Sequence, residues 1–194
     1  MGQRLNIEIH RGEKALANAY YHWSAYTQSA LELTQEIIST IEEVKESDPV
    51  VEAVRLLEAT GAGMPPQEKE RVNQVRDVSI FKDSTDRSSG LISITNEGIA
   101  ETREWQEGRV IIDLDNEMIQ FDVCGVDKLE YYKNDEEMYK EMKSKFDSYW
   151  TYNFDLTHFP FEDVEFMMGI VNEVIDEGDC GYKLADGTVM SLIV

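Results

Sequence analysis

The 194 residues carry 39 Asp and Glu against 18 Lys and Arg, a formal charge of −21, which opposes direct binding to nucleic acid or to an anionic membrane surface. Hydrophobic residues at 42% are enough for a packed core, so disorder of the whole chain is excluded. No stretch approaches the roughly 18 uninterrupted apolar residues of a membrane helix, and the start Met1-Gly2-Gln3-Arg4-Leu5-Asn6 lacks an apolar leader, so a cytoplasmic protein is expected.

The elements follow in chain order. Leu5, Ile7 and Ile9 alternate with Asn6, Glu8 and His10, a period of two that predicts a half-buried strand turning at Arg11-Gly12-Glu13-Lys14. Residues 15 to 26 are expected to return as its hairpin partner, with Tyr21 and Trp23 on one face and Tyr20 and His22 on the other. Ser29 and Glu32 have capping-box spacing, and Leu33, Ile37, Ile38, Ile41 and Val44 recur at helical intervals, predicting an amphipathic helix to about Glu46. Asp48-Pro49 is a cap followed by proline at the first helical position, and it opens a short helix to Gly61. A polar helix is expected over residues 67 to 76, and the loop Lys82 to Gly90 is rich in turn formers. The whole is read as one domain over residues 1–194; a subdomain boundary, if there is one, belongs in that 82–90 loop. Beyond it come a strand at Leu91 to Thr95, a short helix at Glu97 to Gln106, and a hairpin of Val110 to Leu114 with Ile119 to Val123. Two amphipathic helices are expected after Asn134 and from about Phe161. A last hairpin turns at Asp186-Gly187 and ends on the apolar run Val189 to Val194. Hairpins separated by helices predict an α+β fold: an antiparallel or mixed sheet with helices packed against it.

Motifs that carry chemistry are few. Asp113, Asp115, Asn116 and Glu117 resemble the start of a calcium loop, but Met118 and Cys124 stand where the glycine and terminal glutamate belong, so an acidic hairpin turn is the better reading. His10, His22 and His158 have no paired metal-ligand spacing. Cys124 and Cys180 form no CxxC pair and read as buried thiols. There is no GxSxG and no GK[ST] in the chain, so an α/β-hydrolase nucleophile and a P-loop are both excluded. Neither a metal nor a cofactor is expected, and an enzyme is the weaker expectation.

The informative feature is charge distribution. Residues 97–194 hold 24 acids and 8 bases, against 15 and 10 in residues 1–96. From Phe146 to Tyr182 there is no Lys or Arg, and such a run cannot neutralise itself locally. Its carboxylates Asp155, Glu162, Asp163, Glu165, Glu173, Asp176, Glu177 and Asp179 are therefore candidates for docking a basic protein, standing where the phosphates of a nucleic acid would stand on a nucleic-acid enzyme. In size, acidity and lack of enzymatic motifs the chain resembles small phage and prophage proteins directed against host defence, of the anti-restriction and anti-CRISPR kind. That resemblance implies an inhibitor that imitates DNA charge, binds a nucleotide signal or blocks an active site, and it carries over no functional residue. The alternative is a binder of a small molecule or nucleotide signal, with Tyr20, Tyr21, Trp23 and Tyr26 stacking on a base while Arg71 and Arg76, with Lys82 and Arg87, meet phosphates.

Overall fold

The alternating segment at the start becomes β1 (Leu5–Arg11), the strand around which a six-stranded sheet is assembled in the order β3-β2-β1-β4-β5-β6. The computed structural model describes residues 4–25, 27–75, 82–122, 158–169, 181–183 and 189–191, giving the backbone alone at 27, 71–75, 122, 181–183 and 189–191. β2 (Lys14–Tyr21) returns antiparallel to β1 across the Gly12 turn, with a register shift at Ile9/His10. β3 (Leu91–Ser93) extends that side. On the other side β4 (Gly108–Asp113) lies parallel to β1, and β5 (Met118–Asp122) and β6 (His158–Pro160) follow antiparallel. The sheet is thus mixed, mostly antiparallel, and with its helices makes an α+β fold.

One face of the sheet is the main core. Registered pairs such as Ile7 with Ala19 and Val110, and Ile112 with Ile9 and Ile119, put aliphatic side chains on a common side, continued by Phe121 and Phe159. Two helices supply further core residues: α1 (Thr27–Thr40) gives Leu31 and Ile37, and α2 (Pro49–Glu58) gives Val54 and Leu57, with α2 packed on β2. α2 starts as its sequence dictates. Asp48 has extended φ and ψ, its carboxylate accepts from Val50 N at 2.9 Å, and Pro49 follows where no amide partner is needed. Asp48→Ala is expected to cost about 1 kcal/mol, read as a lower urea midpoint with an unchanged slope.

α1 ends earlier than its apolar spacing suggests. Ser39 and Thr40 hydroxyls donate back to the carbonyls of Glu36 and Ile37. Such back-bonding, beside β-branched Ile37, Ile38 and Ile41, weakens the last turn. Ile41 and Val44 therefore leave the helix and are only partly buried. Likewise β2 stops at Tyr21 and the chain bends at His22 and Trp23, so the expected strand to Tyr26 is shorter than its aromatic content indicated.

The second face of the sheet departs from expectation. Alternation predicts a half-buried strand, yet its polar residues Asn6, Glu8 and His10 are 0%, 0% and 6% exposed. The cause is α4 (Asn96–Trp105), capped by Thr95, which lies against this face: Thr102 bonds Asn18, Arg103 bonds Glu8, and Trp105 meets the Tyr20 ring edge-on. α3 (Pro66–Val75) precedes residues 82–90, which are joined to the body by Met64 N to Lys82 O, Ser84 N to Met64 O and His22 N to Arg87 O. β7 (Gly181–Lys183) and β8 (Val189–Ser191) pair antiparallel as a two-stranded sheet of their own, the expected last hairpin. The expected helix after Asn134 lies outside the described residues; from Phe161 a 3-10 turn (Phe161–Asp163) leads into helical residues 164–169.

Candidate functional site

Two hairpin turns meet at one end of the sheet. Because β1 and β4 run parallel, the β1–β2 turn and the β4–β5 turn emerge side by side, and Asp113 ties them together. Its Oδ1 accepts from the amides of Gly12, Asp115 and Asn116, and its Oδ2 accepts from Asn116 Nδ2 at 2.6 Å. Partial burial opposes the charge on Asp113, but these donors together hold its carboxyl below the usual range. The sequence reading as an acidic hairpin turn agrees with this geometry. The segment after β6 joins the same end, where Phe161 N donates to Glu117 O at 3.0 Å.

Two hollows flank the turns. The first, about 360 Å³, lies on the core-helix side. Its apolar walls are Ile38, Ile41, Val44, Leu56, Leu114 and Phe161. Its charged lining is Glu42, Glu52, Glu117 and Glu162 against Arg11 alone. Arg11 is engaged, donating from Nη2 to Glu52 at 2.7 Å and from Nη1 to Asp115 at 2.9 Å. Glu42 pairs with exposed Lys45. Among the described residues no ion pair reaches Glu117, Glu162, Asp163 or Glu165.

The second hollow, about 600 Å³, opens on the other sheet face, where Ile111, Met118, Gln120 and His158 are joined by His10, Glu13 and Asp113. It contains carboxylates and imidazoles but no Lys or Arg. Behind it sits the most constrained charge described in the molecule. Glu8 Oε1 accepts from Arg103 Nε at 2.7 Å and Arg109 Nε at 3.1 Å; Oε2 accepts from Arg103 Nη2 at 2.6 Å and Arg109 Nη2 at 3.0 Å. His10 Nε2 stands 2.7 Å from the same Oε2. Burial disfavours the carboxylate, but the bonds from Arg103, His10 and Arg109 outweigh it and hold its carboxyl far below the usual range. Glu8 is thus an anion at any physiological pH, and it fixes the His10 ring.

Neither hollow is lined by Ser, Thr or Cys, so neither offers a hydroxyl or thiol nucleophile. Among the described residues no three of His, Cys, Asp and Glu are placed to hold a metal ion. No helix there is long and apolar enough to cross a membrane. Both hollows are rimmed by acidic side chains, and the first has apolar walls.

Of the residues expected to dock a basic partner, Glu162 and Glu165 are exposed and Asp163 is half-buried beside the first hollow's Phe161. Asp155, Glu173, Asp176, Glu177 and Asp179 lie outside the described residues. The alternative aromatic platform does not assemble from Tyr20, Tyr21 and Trp23. Neighbours on a strand point to opposite faces: Tyr21 is fully buried in the core with its hydroxyl 2.6 Å from Thr60 Oγ1, while Tyr20 faces Trp105. Trp23 is 50% exposed and packs edge-on against His22. Tyr26, Arg76 and the side chain of Arg71 lie outside the described residues. Lys82 is turned to the Glu58 carbonyl, and Arg87 lies over the Trp105 ring at 5.8 Å.

Sequence reasoning missed Glu42, Glu52 and Glu117 as neighbours of Glu162, and it missed Glu8. The Ile38, Ile41, Val44 spacing was the available signal for the apolar hollow, since it continued past the residues able to hold a helix. No protein-family model matches the chain, and no curated protein and no solved structure matches it either.

Proposed function

We propose that the chain is a non-enzymatic binding protein that docks a basic protein surface on the acidic end of its sheet, as an inhibitor of a nucleic-acid enzyme would. The observation that carries this reading is the convergence, from five separate stretches of chain, of Glu42, Glu52, Glu117 and Glu162 around one hollow and of Glu13 and Asp113 around the other, with the single guanidinium there already engaged. Carboxylates held together in this way raise the local negative potential, attract a cationic partner and tolerate it better than a neutral one. The overall charge of −21 acts in the same direction at longer range. A phage-type anti-defence role is the biological setting that this chemistry suits.

Charge reversal tests it. Glu117→Lys with Glu162→Lys and Glu165→Lys should reduce association with a basic protein at least tenfold at about 0.1 M salt. The same number of reversals at exposed Glu97 and Glu101 on α4, with Glu104, should change it by less than about threefold, because these side chains line neither hollow and exposed charges away from the contact are screened at that salt. Binding to the unaltered protein should weaken steeply as salt rises. Equal losses from both sets would overturn the reading. A second reading, capture of a small polar molecule, is favoured by the hollow of about 600 Å³ over His10, a size common among ligand sites; such binding would depend far less on salt.

A further inference from the structure

We infer that the hollow of about 360 Å³ beside α1 is an anchor site for one large apolar side chain carried between lysines or arginines on the partner, so that docking is steered by charge and fixed by insertion. This rests on the reading of the acidic end as a docking surface. Three observations point to such an occupant. The floor is apolar, and its walls Ile38, Ile41, Val44, Leu114 and Phe161 are only partly buried although they pack against the core; half-covered aliphatic and aromatic side chains grouped round a concavity mark an interaction site rather than ordinary surface. The rim is acidic on several sides, with Glu42 from the segment after α1, Glu117 from the β4–β5 turn and Glu162 from the 3-10 turn. A cation beside the inserted side chain would therefore meet a carboxylate in more than one direction. Finally, Arg11 Nε is buried without a hydrogen-bond partner among the described residues, while the rest of its guanidinium is clamped by Glu52 and Asp115. The one cation in the wall is thus already paired with two carboxylates.

Size selects the occupant. About 360 Å³ lies at the small end of the range for ligand pockets, roughly 300–1,000 Å³. It has room for a tryptophan, phenylalanine or leucine side chain. Large aromatic side chains seated in well-packed pockets are frequent energetic centres of protein interfaces.

The test uses two synthetic peptides on the full chain: acetyl-Lys-Lys-Trp-Lys-Lys-amide and its counterpart with glycine at the centre. Titration followed by calorimetry at low salt should show the tryptophan peptide binding roughly tenfold more tightly or better, the gain from burying one large apolar side chain. Ile41→Asn and Val44→Asn, each checked for an unchanged circular dichroism spectrum, should bring the two peptides to within about threefold of one another while leaving glycine-peptide affinity unaltered. Equal binding of both peptides to the unaltered protein, with strong salt dependence, overturns the anchor and leaves acidic docking standing. A tryptophan preference that survives both asparagine variants also overturns it, because the ring then sits elsewhere. If neither peptide binds at low salt, the docking surface itself fails, and the anchor with it.

Discussion

Glu8→Ala is expected to lower the unfolding free energy by about 3 kcal/mol, the size of effect seen when one partner of a buried charge cluster is removed. The side chain is fully buried and accepts four guanidinium hydrogen bonds. Its loss leaves Arg103 and Arg109 facing each other across an empty site with His10 unsupported. The figure is taken from the low end of the known range because the two arginine side chains are 38% and 28% exposed and can recover some hydration. Glu8→Gln keeps the shape and part of the hydrogen bonding, so it should cost less than alanine. The same network sets a pH dependence. Glu8 is ionised in the native protein far below the roughly 4.3 of an unfolded glutamate. The unfolded state therefore binds more protons in that window, and stability rises with pH through it. The contribution is fully present above about pH 5 and is lost as pH falls further; Glu8→Gln should flatten this slope. Equilibrium denaturation at pH 7 and pH 3.5 reads both effects, and a change under about 1 kcal/mol for Glu8→Ala would mean the second sheet face is not sealed.

Gly90→Ala should be of similar size, about 2–5 kcal/mol. Gly90 has φ +98, a conformation that side-chain-bearing residues adopt only at a cost of roughly 1–2 kcal/mol. A methyl group there would also sit 2.6 Å from Tyr21 Cε1 and 2.8 Å from Ala62 Cβ. Tyr21 cannot swing away, since its ring is buried and its hydroxyl is hydrogen-bonded to Thr60, so overpacking adds roughly 1–3 kcal/mol. Gly12→Ala provides the comparison. Gly12 has φ +56 with nothing within 4 Å of the added carbon, so it reports the backbone strain alone. Thermal melts of the two variants should differ clearly, with Gly90→Ala much the lower; coincident melts would place the Gly90 region away from the Tyr21 ring.

These two residues illustrate what a chain of this kind discloses before it is folded. Gly90 was legible as a turn former closing a polar loop, but nothing near it in sequence indicates that Tyr21, on another strand, would pack against it. Glu8 was legible as one member of an alternating strand. Alternation assigns alternate residues to two faces without saying whether the second face is covered, and here α4 covers its β2–β1 part.

The order of strands and helices in the described residues was determined by the sequence itself, through period-two alternation at Leu5–Ile9, the Asp48-Pro49 cap, the polar turn at Asp113–Glu117 and the glycine at position 12. Each of these acts within one turn of helix or one hairpin, the range over which backbone hydrogen bonding and steric preference are felt. Tertiary structure alone decided the pairing of β1 with β4, the burial of Glu8 against arginines 95 and 101 residues away, and the meeting of Glu42, Glu117 and Glu162 around an apolar hollow. Those contacts join segments whose local patterns are independent of one another, and a charge or an apolar stripe acquires its partner only when the sheet has brought both to the same place.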